Sequence, residues 1–141
     1  EKYKQKYNSI TNLKFLGYVD KKDVGELISS FDVVYFSTFK SKVWDYGQSL
    51  NKVIDYMLSG KPILASYSGF PSMIDEANCG WFIEAENSDA LAKKIIQISK
   101  FKKEELVQLG SNGRDWIKAN RSYTFLANYL KDEIFTIQKK S

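Results

Sequence analysis

The sequence predicts an α/β fold, a doubly wound Rossmann-like parallel sheet with flanking helices. Three observations carry that expectation. Short apolar runs alternate with stretches whose apolar residues recur at helical spacing. The runs are apolar at nearly every residue, as strands covered on both faces are. Helix-length segments, not tight hairpin turns, join one run to the next, which is the pattern of βαβ units.

The elements follow in order. Leu13-Lys14-Phe15-Leu16-Gly17 reads as a strand ended by glycine. Val24, Leu27, Ile28 and Phe31 recur at i, i+3, i+4 and i+7, an amphipathic helix starting between Asp20 and Asp23. Asp32-Val33-Val34-Tyr35-Phe36 is a second, β-branched and aromatic strand, and a polar loop from Ser37 to Tyr46 follows it. A helix is expected from Gln48 to Ser59, stopped by Gly60 at its C′ position, and Pro62 opens the strand Ile63-Leu64-Ala65. A short helix over Pro71 to Ala77 precedes a last strand, Trp81-Phe82-Ile83. Three helices fill the rest: Ser88 to Ser99, Lys103 to Ala119 and Tyr123 to Lys139.

A chain of 141 residues makes one domain, residues 1–141, and can bury a core without disulfide or metal staples. Hydrophobic residues at 43% and charged residues at 27% are globular values, which excludes a disordered chain. The 21 basic and 17 acidic side chains give +4, a mild bias toward anionic partners and no nucleic-acid signature. With no histidine, the chain cannot supply a Ser-His-Asp triad, a histidine base or a histidine metal site. The single cysteine, Cys79, excludes an internal disulfide and a cysteine-cluster zinc site. It has no histidine beside it and reads as packing; a free thiol suits a reducing cytoplasm. The charged start, Glu1-Lys2-Tyr3-Lys4, has no signal-peptide core, and no apolar run approaches a membrane span. A soluble, cytoplasmic domain is expected.

In open parallel sheets ligands bind beyond the C-terminal strand ends, where helix N-termini converge. The most informative segment there runs from Gly47 to Gly60. Leu50, Val53, Ile54, Met57 and Leu58 form an apolar stripe, and Gln48, Asn51, Lys52, Asp55 and Ser59 lie opposite. Asn51 and Lys52 are spaced to touch Asp55. A helix starting at Gly47 and Ser49 offers backbone N–H groups, the Ser49 hydroxyl and the Lys52 ammonium to a phosphate. One turn on, the Asp55 carboxylate can accept two hydroxyl hydrogen bonds from a sugar ring. The pattern alone also fits an ordinary solvated helix face with Ser49 as a cap, and it leaves both readings open.

The stretch Gly47-x-Ser49-x-Asn51-Lys52-x-x-Asp55-Tyr56-Met57-x-x-Gly60-Lys61-Pro62 resembles the donor-site signature of group 1 (family 4) retaining glycosyltransferases, most closely the branch that builds bacterial surface polysaccharides. Phe15-Leu16-Gly17-Tyr18-Val19 resembles that family's base-contacting loop. Asp32-Val33 followed by Ser37, Cys79-Gly80-Trp81-Phe82-Ile83, and Ser88-Asp89-Ala90-Leu91-Ala92 resemble its later strand, glycine turn and helix, in the family's order.

The resemblance implies the C-terminal, donor-binding half of a two-domain GT-B enzyme, without its first two strands. In that arrangement the strand at Leu13 is separated from the other three. The implied donor site is Asp55 on the ribose, Tyr18 and Val19 at the base, and Gly47, Ser49, Asn51 and Lys52 toward the diphosphate and the sugar. Many family members have an acid eight positions before Asp55; here that position is Gly47. The implied partners are a nucleotide diphosphate sugar, UDP-linked, and an N-terminal acceptor-binding domain. Neither metal nor cofactor is expected, nor is nucleic acid. This region alone would bind without catalysing. Apart from the resemblance, Lys93, Lys94 and Lys100 to Lys103 read either as a solvated helix face or as a contact with an anionic inner membrane.

Three other readings share the sequence: a GT-B epimerase or phosphorylase, a receiver-like signalling domain, and a nucleic-acid binder. The Lys61-Pro62 pair precedes its strand, the wrong order for a receiver. No aromatic-basic motif supports RNA binding. Trp44 and Tyr46 are either lids over the donor sugar or packing beneath their loop. Trp81 and Trp116 read as core.

Overall fold

A computed structural model describes residues 2–48, 50–70 and 72–138, with side chains to residue 135. Its elements are α1 (Lys2–Lys6), α2 (Lys21–Ser29), β1 (Val34–Ser37), a 3-10 turn (Lys42–Tyr46), α3 (Asn51–Leu58), β2 (Ile63–Ser66), α4 (Met73–Glu76), β3 (Gly80–Ile83), α5 (Ser88–Ile98), α6 (Lys103–Asn120) and α7 (Tyr123–Gln138). The three strands form a parallel sheet in the order β1-β2-β3, with Val34 opposite Ile63 and Ile63 opposite Gly80.

The central strand β2 is buried at all four residues, and its side chains divide between two clusters. Ile63 and Ala65 join Val34, Phe36, Val53, Met57 and Ile117 on the face covered by α2, α3 and α6. Leu64 packs on the other face with Ile83 and with Ile98 of α5. Trp116 packs at the edge of the first cluster and Trp81 at the edge of the second. Alternation along a strand requires this division. β1 instead alternates buried and exposed, because α5 leaves its outward face uncovered. A groove of about 730 Å³ lies there, lined by Phe31, Val33, Tyr35, Leu64, Ile95 and Ile98. No strand among the described residues pairs with the outer edge of β1.

Two sequence expectations need correction. Leu13 to Gly17 forms no strand; the segment runs irregularly to Asp20, with Leu13, Phe15 and Leu16 exposed. A strand needs a neighbour to take its backbone groups, and no described strand lies beside this one. The third helix starts at Asn51, not Gln48, with Leu50 as its N-cap. The chain ahead of it is committed to the 3-10 turn, which closes with the Gly47 N–H donating to the Trp44 carbonyl at 3.1 Å. Helix α7 packs against α6 and leaves its Leu126, Tyr129, Leu130 and Ile134 exposed.

Gly60 ends α3 with φ +70°, the left-handed turn expected after the Ser59 C-cap. Helix α6 lies directly on this turn. A Cβ at Gly110 would overlap the Gly60 carbonyl, and one at Gly113 would lie 2.9 Å from Cβ of Cys79. Gly110→Ala should therefore lower stability in urea denaturation by about 2–3 kcal/mol. Gly25→Ala, at an α2 site where a Cβ meets nothing within 4 Å, should raise it; the expected gain is about 0.5–1 kcal/mol.

Candidate functional site

The segment before α2, the first half of α2 and the exposed side of α3 enclose a cleft of about 650 Å³. Tyr18 and Val19 form one wall, with Lys21 and Lys22 on the first turn of α2, and Asp55, Leu58 and Ser59 of α3 stand opposite. Residues far apart in sequence thus share one space. Tyr18 is 89% exposed, an aromatic face held out by the backbone where Gly17 turns at φ +75°. Leu58 is 46% exposed, because the apolar stripe of α3 is wider than the core it faces. Val53 and Met57 fill that core while Ile54 and Leu58 flank the open side.

The remaining candidates sit elsewhere. Lys52 points its Nζ over the Phe36 ring, 5.9 Å from the centroid, at the C-terminal end of β1. Asn51 is exposed beside it in the first turn of α3. Neither forms a hydrogen bond or ion pair with Asp55, so the contact their spacing allows is not made; Lys52 rests on the ring instead. Gly47 adopts φ +102°, a backbone region that favours glycine, which accounts physically for the missing acid at this position. Ser49 lies outside the described residues. Lys21 and Lys22 were not among the sequence candidates; two lysines in the first turn of a helix, where acids are favoured, were the available signal.

The loop before α3 is built on Trp44. Its ring packs edge-on to Tyr67 with centroids 5.9 Å apart, and its Nε1 donates to the Phe39 carbonyl at 2.9 Å. Phe70 N–H donates to the Trp44 carbonyl at 2.8 Å, and the Tyr67 hydroxyl lies 3.2 Å from the same oxygen. Burial, helped by the charge of Asp45, raises the Tyr67 phenol above its usual pKa. Trp44 is therefore packing, whereas Tyr46 projects from the turn at 93% exposure.

Gln48, at the junction of this loop and α3, has both side-chain amide atoms buried without a partner among the described residues. Gln48→Met should raise stability by about 1–3 kcal/mol in thermal melts. Cys79 is fully buried, and burial, with a smaller effect from Asp75, pushes its thiol up to about 12. It should resist alkylation at mildly alkaline pH in the native state and react fully once unfolded.

A family model described as glycosyl transferases group 1 matches residues 1–100. The chain belongs to the group 1 glycosyltransferases. Its fold is similar to sucrose-phosphate synthase from Thermosynechococcus elongatus, with TM-score 0.68, 21% identity and coverage of 99% of this chain and 34% of the synthase. It is also similar to the C-terminal domain of the group 1 glycosyl transferase LpcC from Francisella tularensis, with TM-score 0.65, 15% identity and coverage of 86% of this chain and 60% of that one. The chain thus spans about a third of the synthase and three fifths of the LpcC domain. No curated protein matches. The chain is an α/β unit, a three-stranded parallel sheet with flanking helices, as a GT-B C-terminal domain has.

Proposed function

We propose that this chain is the donor-binding part of a retaining transferase. The full enzyme moves a sugar from a UDP-linked donor to a growing polysaccharide or lipid-linked acceptor, in the surface-polysaccharide branch of the family. The observation that carries the reading is the shared cleft, in which the Asp55 carboxylate faces the loop of Tyr18 and Val19. A nucleoside fits that pairing: hydroxyls of the ribose donate to Asp55, and the base lies against the Tyr18–Val19 wall. Lys21 and Lys22 add positive charge to the same cleft. Lys52, Asn51 and the positive end of the α3 dipole are suited to the diphosphate.

The chemistry asked of these groups is charge stabilisation. The bond from the anomeric carbon to the diphosphate breaks while the acceptor oxygen bonds to that carbon on the same face. The acceptor proton passes to an oxygen of the departing phosphate. Lys52 and the α3 dipole stabilise the charge developing there. Acceptor binding and exclusion of water fall to an N-terminal domain closing over the cleft. Further strands would pair with the free edge of β1 and cover its groove, which agrees with the greater length of the matched relatives. The enzyme would work at the cytoplasmic face of a membrane; among the described residues no helix is long and apolar enough to cross one. The backbone of Gly47, which favours no acid there, leaves room for epimerisation or phosphorolysis on the same architecture. Product analysis of the full-length enzyme separates these reactions from transfer.

Calorimetric titration with UDP, GDP, ADP and CMP tests the site. UDP should bind, and Asp55→Ala should weaken it by about 10–100-fold, the loss of hydrogen bonds to a charged acceptor. Silence from every nucleotide in the full-length enzyme, or binding that ignores Asp55→Ala, would overturn the assignment.

A further inference from the structure

Five lysines fall within eleven residues where α5 ends and α6 begins: Lys93, Lys94, Lys100, Lys102 and Lys103, with no acid among them. Setting these five aside from the 21 basic side chains leaves 16 against 17 acidic ones, so the chain's whole positive excess lies here. None of them lines the cleft of Asp55. At 100° per residue Lys93, Ile96 and Lys100 share one face, since the turn continues past α5 with Lys100 N–H donating to the Gln97 carbonyl at 3.2 Å. Ile96 is 60% exposed on that face.

Folding does not account for these charges. Lys102 is the N-cap of α6 and Lys103 its first residue, where the positive end of the helix dipole disfavours cations. Among the described residues no ion pair neutralises any of the five. Lys94 is held only by the Gln97 side chain, at 2.9 Å. The nearby acids are few and partly occupied. Glu105 accepts from the Lys102 backbone N–H at 2.7 Å, Glu104 precedes it, Asp89 lies in the first turn of α5, and Asp32 lines the groove with Lys103.

We propose that this end of the α5–α6 pair rests on a lipid bilayer carrying anionic headgroups. The patch has lysines and an exposed isoleucine but no arginine, and its one aromatic ring, Phe101, is half-buried, edge-on to Trp81 at 5.4 Å. That composition suits the headgroup boundary, where ammonium groups meet phosphates and an aliphatic side chain reaches the acyl region. It lacks the stacking platforms of single-strand nucleic-acid binders. The inference does not rest on the donor site, and its failure would leave nucleotide binding untouched.

Co-sedimentation with vesicles tests it, one set of pure phosphatidylcholine and one with about a third phosphatidylglycerol. The chain should bind the anionic vesicles and not the neutral ones. The quadruple variant K93Q/K100Q/K102Q/K103Q, checked for native circular dichroism, should lose at least about tenfold in binding. Ile96→Ser should lose less, and high salt should release the wild type. Equal binding to both vesicle types, binding unchanged in the quadruple variant, preference for polyuridine over vesicles, or no sedimentation would each overturn the proposal.

Discussion

Helix α6 touches the rest of the domain at two places where there is room for no side chain. Gly110 lies against the Gly60 carbonyl and Gly113 against Cys79. That approach fixes the turn leaving α3, and with it the direction of α3 over the sheet. Val53 and Met57 then seat in the core, and Asp55 comes out on the far side facing α2. A bulkier contact with α6 would lift α3 and displace the carboxylate. The cleft is thus a product of packing on the opposite side of the helix.

The two walls of the cleft differ in support. Asp55 stands on a helix braced by the core, whereas Tyr18 and Val19 belong to a segment without regular structure, followed at once by α2. On the other side of the α3 N-terminus, the Trp44–Tyr67–Phe70 knot braces the 3-10 turn and leaves Tyr46 exposed. Gln48, between knot and helix, keeps a donor and an acceptor out of water with no partner among the described residues. Buried amides without partners are rare in folded proteins.

Much of this was legible in the sequence because local signals and tertiary needs agree. The apolar runs at Val34, Ile63 and Trp81 became strands since each found a partner, and Gly60 stops α3 as its position requires. Leu13 to Gly17 has equally good strand composition and is no strand, because pairing depends on a neighbour that composition does not encode. The start of α3 moved three residues for a local reason, the competing 3-10 turn before it. Asp55, Tyr18 and Val19 line one cleft together with Lys21 and Lys22, whose place there local sequence does not signal, since lysines on a helix usually signify solvent. The glycines of α6 carried no local signal either; only the α3 turn pressed against them reveals their purpose.

The bare edge of β1 bears on how such a region behaves when handled alone. An edge with no strand beside it among the described residues, next to an apolar trough, is a template: it offers a stray strand both a ladder and a place for its side chains. Two isolated copies can complete each other there, so the region is adhesive by construction.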